Sequence, residues 1–324
     1  VMRCFLEKCL AIRQAHADLE RRAAAGGHPG NAFRFAPLGA IAGRTADGIR
    51  AVTRLGAFAL LTLPLMPIQA ILKRTAPDAA RRFPHWYHRQ VCRILGIRLH
   101  VDGQIDRNAP ALIVANHASW LDIVVLSAVA PVSFVAKKDV AGWPFVGTLA
   151  RLQRTVFVDR NRRLSVSDTA REIATRLRDG DTIVLFAEGT SSDGNRVLPF
   201  RTSLFGSVIP SAAKQATRAE MNSDASPELP ADTVVHTLSL VYTRLHGIPF
   251  ARADRPLVGW YGDMELGGHA WTLLKSGPLD VAIDISEPIP LSAFKNRKAL
   301  ARETEASVRK ALAARVRGRA ISNA

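Results

Sequence analysis

Five short apolar runs constrain the fold of this chain more than any other feature. The runs cover residues 111–115, 132–136, 155–158, 182–186 and 234–241. A run without polar alternation is typical of a strand that is buried on both faces. The runs alternate with helical patterns, of which residues 163–178 are the clearest. This order predicts an α/β domain with a mostly parallel sheet and helices on its faces.

A histidine and an aspartate follow the first of these runs, in the segment NHASWLD at residues 116–122. Open α/β sheets hold their ligands just past the carboxyl ends of the strands. A neutral imidazole can accept the proton of an attacking hydroxyl near pH 7, and a carboxylate on its other nitrogen stabilises the imidazolium. The segment therefore predicts an acid–base pair of His117 and Asp122. The alternative is a helix-capping aspartate beside a surface histidine.

Two further polar segments follow apolar runs. Residues 155–160 read TVFVDR, and residues 187–201 read AEGTSSDGNRVLPFR. Gly189 and Gly194 allow a close approach of the backbone to a ligand, or a positive φ. A solvated loop after a strand is the more common explanation of each segment taken alone. Three such strand ends in order on one sheet indicate a shared site.

The three segments resemble the sequence blocks of the PlsC-type glycerolipid acyltransferases, over roughly residues 85–290. The resemblance implies a glycerol-3-phosphate acyltransferase-like fold, with His117 as general base and Asp122 as its orienting partner. It also assigns Phe157 and Arg160, with Glu188, Gly189 and Thr190, to the acceptor pocket. The same segments supply further candidate substrate-binding residues: Asn116, Ser191, Arg196 and Arg201.

Ser191 departs from the family pattern. Many family members carry an arginine directly after Glu-Gly-Thr, where it is thought to meet the phosphate of the acceptor. The segments SSDGNRVLPF, VYTRLHGIPF and GWYGDM are most similar to the branch that acylates lyso-ornithine lipid. The resemblance implies a lysolipid acceptor, with lyso-ornithine lipid favoured over 1-acyl-sn-glycerol-3-phosphate. The implied donor is a thioester of acyl carrier protein or coenzyme A. Because a thiol leaves readily, general-base catalysis suffices, and we expect neither a metal nor a cofactor.

The formal net charge of +16 points to anionic partners. Nucleic acid is disfavoured because the chain has no zinc-ligand spacing, recognition-helix signature or RNA-binding aromatic motif. A membrane surface is favoured by the uncharged run LGAFALLTLPLMPIQAIL at residues 55–72, which is barely long enough to span a bilayer. Pro64 and Pro67 would break a straight helix. Basic residues lie on both sides of the run, so we expect a proline-bent, re-entrant or shallowly inserted hairpin.

The chain is predicted to divide into four regions. They are a low-information extension at 1–49, a membrane-associated helical segment at 50–96, the catalytic domain at 97–294 and a basic helix at 295–324. Three scattered cysteines suggest reduced thiols and a cytoplasmic compartment. We therefore expect a bacterial-type inner membrane location, with the catalytic domain facing the cytoplasm.

Two other functions compete with acyl transfer. A serine hydrolase would use Ser191 or Ser192 with His117, but GTSSDG does not match the GxSxG pattern of a nucleophile elbow. A basic membrane scaffold without turnover would account for the charge and the apolar run alone.

Overall fold

The computed structural model describes residues 38–106, 108–158, 165–207 and 229–317. It contains seven α-helices in this part of the chain: α1 (Leu38–Thr75), α2 (Pro77–Leu95), α3 (Leu121–Val129), α4 (Val146–Leu152), α5 (Ser165–Arg178), α6 (Leu266–Lys275) and α7 (Arg297–Val316). Short 3₁₀ turns cover Lys138–Gly142, Thr202–Ser207, Arg255–Leu257 and Leu291–Ala293.

Nine strands lie within the same ranges: β1 (Ile97–Asp102), β2 (Ala111–Ala115), β3 (Val132–Lys137), β4 (Val156–Val158), β5 (Thr182–Phe186), β6 (Val234–Leu245), β7 (Ile248–Pro249), β8 (Leu279–Ile285) and β9 (Ile289–Pro290). They form one sheet in the order β1-β8-β6-β2-β5-β3-β4, with β7 and β9 paired to β6. The pairings from β6 through β4 are all parallel, whereas β6 is antiparallel to β7, β8 and β9. The predicted α/β fold with a mostly parallel sheet is confirmed.

The chain forms two compact units by internal contacts. In the first, residues 38–56 of α1 accompany Asp263–Ser276. Arg50 and Arg54 of α1 donate to the carbonyls of Lys275 and Leu274 at 2.9 and 3.1 Å. These two guanidinium groups satisfy carbonyl groups that the end of α6 leaves without intrahelical partners.

The second unit contains the sheet, and the last helix is part of its core. Leu300, Val308 and Leu312 of α7 are buried in one cluster with Phe205 and Val241. The segment predicted as a separate basic helix therefore buries an apolar face in the core and carries its charges on the outside. Residues 318–324 lie outside the described part of the chain.

The apolar run does not break at its prolines. Pro64 and Pro67 both lie inside the continuous helix α1, so the expectation of a broken helix was wrong. A proline removes one intrahelical hydrogen bond and crowds the preceding turn, but a helix can continue through it with a bend. The chain reverses instead at Ala76, between α1 and α2. Much of the predicted extension at 1–49 lies outside the described residues, although α1 begins within it at Leu38.

Polar contacts join the two helices of this hairpin. The Thr62 and Tyr87 hydroxyls lie 2.8 Å apart, and the Gln69 amide donates to the Ala80 carbonyl at 2.9 Å. Helix α2 lies within the segment at 50–96 that was predicted to be helical.

Candidate active site

The register of β2 and β5 brings two of the predicted segments together. The strands are parallel neighbours, and Ala115 lies opposite Phe186. His117 and Glu188 each follow two residues later, so both leave the sheet at the same edge. The His117 imidazole stacks on the Phe186 ring, with centroids 4.0 Å apart and planes 16° apart.

His117 and Asp122 lie within hydrogen-bond distance of each other. The His117 Nδ1 atom is 2.8 Å from Asp122 Oδ2. The Asp122 side chain is completely buried, whereas that of His117 is 19% exposed. An ionised carboxylate only accepts hydrogen bonds, so Nδ1 carries the hydrogen and Nε2 presents its lone pair. Nε2 has no hydrogen-bond partner within the described ranges. The ring can therefore act as a base through Nε2.

Asp122 is held by four donors. Its Oδ2 atom accepts from His117 Nδ1 and from the backbone N–H groups of Ala118 and Ser119, at 2.7 and 3.0 Å. Its Oδ1 atom accepts from the Tyr242 hydroxyl at 2.6 Å. These four hydrogen bonds offset the cost of burying the Asp122 carboxylate.

Sequence reasoning missed Tyr242. Strand β6 extends beyond the predicted end at residue 241, and the extension carries this tyrosine past the end of β2 to Asp122. The signal available in the sequence was a tyrosine directly after the predicted strand at 234–241, because a buried phenol needs a hydrogen-bond partner. Burial raises the pKa of Tyr242 well above its ordinary value, and the charge and hydrogen bond of Asp122 act in the same direction. The phenol therefore remains a donor across the physiological pH range.

Glu188 is buried and supports the site through backbone hydrogen bonds. It is 1% exposed, and its two oxygens accept from the backbone N–H groups of His117 at 2.8 Å and Leu198 at 3.0 Å. Burial raises its pKa to about 7, and the charge of Asp122 adds to this. The two backbone hydrogen bonds and the charge of Arg309 oppose the rise. Glu188 therefore links the loop after β5 to the backbone of the general-base candidate, and in this structure it does not face an open pocket.

The serines of the same loop are also occupied. The backbone N–H and hydroxyl of Ser192 donate to the His117 carbonyl at 2.9 and 3.1 Å. The Ser191 hydroxyl donates to the Trp260 carbonyl. The backbone N–H of Trp260 in turn donates to the Ala118 carbonyl at 2.8 Å. Neither serine hydroxyl bonds to the His117 ring, so the structure does not assemble a serine–histidine nucleophile.

The segment around Trp260 adds an aromatic wall and a buried cation beside this loop, and sequence reasoning assigned neither. Trp143 packs edge-on against Trp260, with ring centroids 6.1 Å apart. Arg255 is buried and donates to the Asn195 side-chain oxygen at 3.2 Å. These contacts fix the shape of the loop that follows Glu188.

The remaining predicted residues do not converge on one pocket. The Asn116 amide both donates to and accepts from the Leu240 backbone, at 2.9 and 2.8 Å, so it ties β2 to β6 and is not free to contact an acceptor. Phe157 is half-buried on β4, at the edge of the sheet. Arg196 lines a groove of ≈ 210 Å³ with residues of α7. Arg160 lies outside the described residues.

Gly189, Thr190 and Arg201 lie at the surface end of the loop. Gly189 has a φ of +73°, and a Cβ atom there would come within 2.9 Å of Arg201 Cδ, so only glycine fits without strain. The Thr190 and Arg201 side chains are exposed. Across the described ranges, no group of three or more His, Cys, Asp or Glu side chains is arranged to hold a metal ion.

Comparisons with known proteins identify the family of this chain. The profile of the acyltransferase family matches residues 96–217. A lyso-ornithine lipid O-acyltransferase of Brucella abortus is 44% identical over 276 residues, covering 85% of this chain and 98% of the relative. A 1-acyl-sn-glycerol-3-phosphate acyltransferase of Neisseria meningitidis is 30% identical over 220 residues, covering 66% of this chain and 76% of the relative.

A solved structure shows the same fold. The 1-acyl-sn-glycerophosphate acyltransferase PlsC of Thermotoga maritima aligns with a TM-score of 0.57 at 18% identity, covering 86% of this chain and 100% of PlsC. The match to the family profile and the extent of the sequence similarity together place the chain: it belongs to the acyltransferase family.

Proposed function

We propose that this acyltransferase moves a fatty acyl group from a thioester donor to the free hydroxyl of a lysolipid, with His117 as general base. The observation that carries the proposal is the 2.8 Å contact between His117 Nδ1 and buried Asp122, which leaves Nε2 open. In this mechanism His117 Nε2 accepts the proton of the lysolipid hydroxyl while the hydroxyl oxygen attacks the thioester carbonyl. The proton then passes to the leaving thiolate. Asp122 stabilises the imidazolium between these steps.

The donor is proposed to be acyl carrier protein or coenzyme A. Both present the acyl group on an anionic carrier, and the chain has a formal net charge of +16. An excess of basic residues accelerates the encounter with anionic partners and makes it sensitive to salt.

The favoured acceptor is lyso-ornithine lipid. Ser191 occupies the position where many family members carry an arginine, and its hydroxyl is bonded to the Trp260 carbonyl. A phosphate monoester is held best by a charge-assisted, bidentate contact, which a serine does not provide. The 44% identical relative from Brucella abortus carries the name of this activity. Lysophosphatidate remains the second candidate because the Neisseria meningitidis relative is named for it and because Arg196 and Arg201 are exposed cations near the same loop.

A panel assay tests donor and acceptor together. Purified protein is incubated with acyl carrier thioester or acyl coenzyme A and with equal amounts of lyso-ornithine lipid and lysophosphatidate, and the diacyl products are identified by mass. We expect ornithine lipid to be the main product. A product confined to phosphatidic acid would contradict the proposed acceptor, and hydrolysis without transfer would contradict the proposed reaction.

Membrane association is proposed through the α1–α2 hairpin. The region Thr45–Thr75 is one helix that is long and apolar enough to cross a bilayer. From residue 57 onward, α1 exposes Leu60, Leu63, Ile68 and Ile71 on one face while polar Thr62 and Gln69 are buried. This arrangement is the reverse of a helix on the surface of a water-soluble protein.

Helix α2 also supports the proposed membrane association. It exposes Arg82, Trp86, Arg89 and Arg93 at helical spacing, a composition suited to the lipid headgroup region. Lys73 and Arg74 follow the apolar run, and Arg50 and Arg54 precede its most apolar part. By the positive-inside rule we propose a bacterial inner membrane location with both ends of the run and the active site on the cytoplasmic side.

A further inference from the structure

We infer that Tyr242 is a positioning residue for acyl transfer: acting through Asp122, it sets the pH above which His117 serves as a base. The inference rests on the proposed role of His117. Tyr242 is far from Asp122 in sequence but donates to its Oδ1 atom at 2.6 Å, which is shorter than the contact between Asp122 and His117.

The two carboxylate oxygens have unequal support. Oδ2 accepts from His117 and from two backbone N–H groups, at Ala118 and Ser119. Oδ1 accepts from Tyr242, and no second donor to it occurs within the described residues. Loss of the phenol hydroxyl would leave a buried, charged oxygen without a partner. The backbone donors are fixed by the turn, so apart from His117 itself the phenol is the donor that a side-chain change can remove.

The direction of the effect follows from charge. The Tyr242 O–H draws the negative charge of the carboxylate toward Oδ1 and away from Oδ2, the oxygen that faces His117. Without the phenol hydroxyl, more negative charge remains on Oδ2. This charge attracts the Nδ1 hydrogen of His117, and the imidazolium becomes more stable. His117 would then hold a proton on Nε2 to higher pH. Because only the neutral ring accepts a proton from the acceptor, the acidic limb of the pH profile should move to higher pH.

Other ionisable groups around the pair do not reproduce this effect. Glu188 approaches from the loop after β5, and its charge interacts with that of Asp122. Cys92 of α2 lies near Tyr242, and burial raises its thiol pKa to about 12, so it stays neutral. His85 of α2 is bonded to the Ser127 carbonyl of α3. Of these groups, Tyr242 is the one bonded directly to Asp122.

The first test compares Tyr242→Phe with Tyr87→Phe. Tyr87 is a suitable control because it is half-buried and its hydroxyl also has one side-chain partner, Thr62 at 2.8 Å. We expect Tyr242→Phe to move the acidic limb of kcat/KM upward by about half to one pH unit and to lower kcat/KM near neutral pH by up to about tenfold. Activity should recover toward the wild-type plateau at high pH. Tyr87→Phe should leave the limb in place.

A second variant keeps the test decisive if Tyr242→Phe does not fold. Replacing Tyr242 by 3-fluorotyrosine retains the shape and the hydroxyl but makes the phenol a stronger donor, so the limb should move to lower pH. A merely structural role predicts a uniform loss of activity at all pH values with no movement of the limb. The inference is overturned if neither variant moves the limb, or if the two move it in the same direction. If His117→Ala keeps full activity, the proposed function fails as well, and the two failures are thereby distinguished.

Discussion

Replacing Glu188 with Gln tests how the loop after β5 is coupled to the catalytic pair. The buried carboxylate accepts from the backbone N–H groups of both His117 and Leu198. A glutamine offers one oxygen and one NH₂ group, so one of the two N–H groups would face another donor. Leaving one buried N–H unpaired costs about 1–3 kcal/mol. We expect kcat to fall, because the backbone of the general base is one of the two groups held.

The same substitution has a pH-dependent effect on stability with a definite sign. Burial raises the pKa of Glu188 from an ordinary 4.5 to about 7 in the folded protein. The folded state therefore holds this proton more tightly, and the resulting stability is complete below pH 4.5 and is lost as pH rises through 7. This difference in pKa corresponds to about 3 kcal/mol of unfolding free energy, as an order of magnitude. Glutamine has no proton to lose, so the free energy of unfolding of Glu188→Gln relative to wild type should rise by about this amount as pH increases from below 4.5 to above 7.

The assay is the unfolding midpoint of wild type and variant in detergent between pH 5 and pH 8, read as the difference between the two at each pH. Glu305→Gln is a useful control. Glu305 also accepts a backbone N–H of this loop, that of Phe200 at 2.8 Å, but its side chain is 25% exposed. The unfolding midpoint of Glu188→Gln relative to wild type should rise between pH 5 and pH 8, and by more than that of the Glu305→Gln control. A midpoint of Glu188→Gln relative to wild type that stays flat, or that falls as pH rises, would refute the reasoning.

Three further predictions concern the reaction and the membrane. Asp122→Asn removes the charge that stabilises the imidazolium, so kcat/KM should fall by about 10- to 100-fold and the acidic limb should move to lower pH; an unshifted profile in rate assays would count against the pair. Ser191→Arg should raise the kcat/KM ratio of lysophosphatidate to lyso-ornithine lipid by about tenfold, measured by competition between the two acceptors, and an unchanged ratio would remove Ser191 from the acceptor site. Leu60→Glu should reduce sedimentation with anionic vesicles, whereas Ile248→Glu, at another exposed apolar position, should not; equal binding of both variants would disprove the proposed membrane face.

The parallel sheet could be predicted from the sequence because strands buried on both faces leave a simple signal, an uninterrupted apolar run. The strand ends at Ala115 and Phe186 then place His117 and Glu188 at one edge. The length of β6 could not be predicted in the same way. Its last three residues are partly or fully exposed, and the run of apolar residues ends before Leu245.

The roles of individual polar residues were harder to predict than their location. Asn116 and Glu188 lie in segments that resemble a binding site, but both are buried and bonded to backbone groups. A sequence pattern does not distinguish a residue that faces a ligand from one that supports it, because both are polar and both lie in the same turn. The role of Trp260 could not be predicted for another reason. Its contacts with Ala118 and Ser191 join residues that are far apart in the chain.

The proline-containing helix shows a limit of local rules. Pro64 and Pro67 predict a break from backbone chemistry alone, yet α1 continues through both. Packing of Thr62 and Gln69 against α2 stabilises the helix on either side of the prolines. Such tertiary contacts outweigh a local penalty, and the apolar run does not encode them.

The rate of acyl transfer by His117→Ala tests whether His117 is the general base. The variant should retain the wild-type unfolding midpoint, because the ring is partly exposed and its backbone hydrogen bonds to Glu188 and Ser192 do not depend on it. Transfer from acyl carrier thioester to lyso-ornithine lipid, followed by product mass, should fall by about 10²- to 10⁴-fold. His100→Ala, which removes a largely exposed histidine on β1, should transfer at the wild-type rate. A folded His117→Ala protein that transfers as fast as the His100→Ala control would contradict the assignment of His117 as the general base.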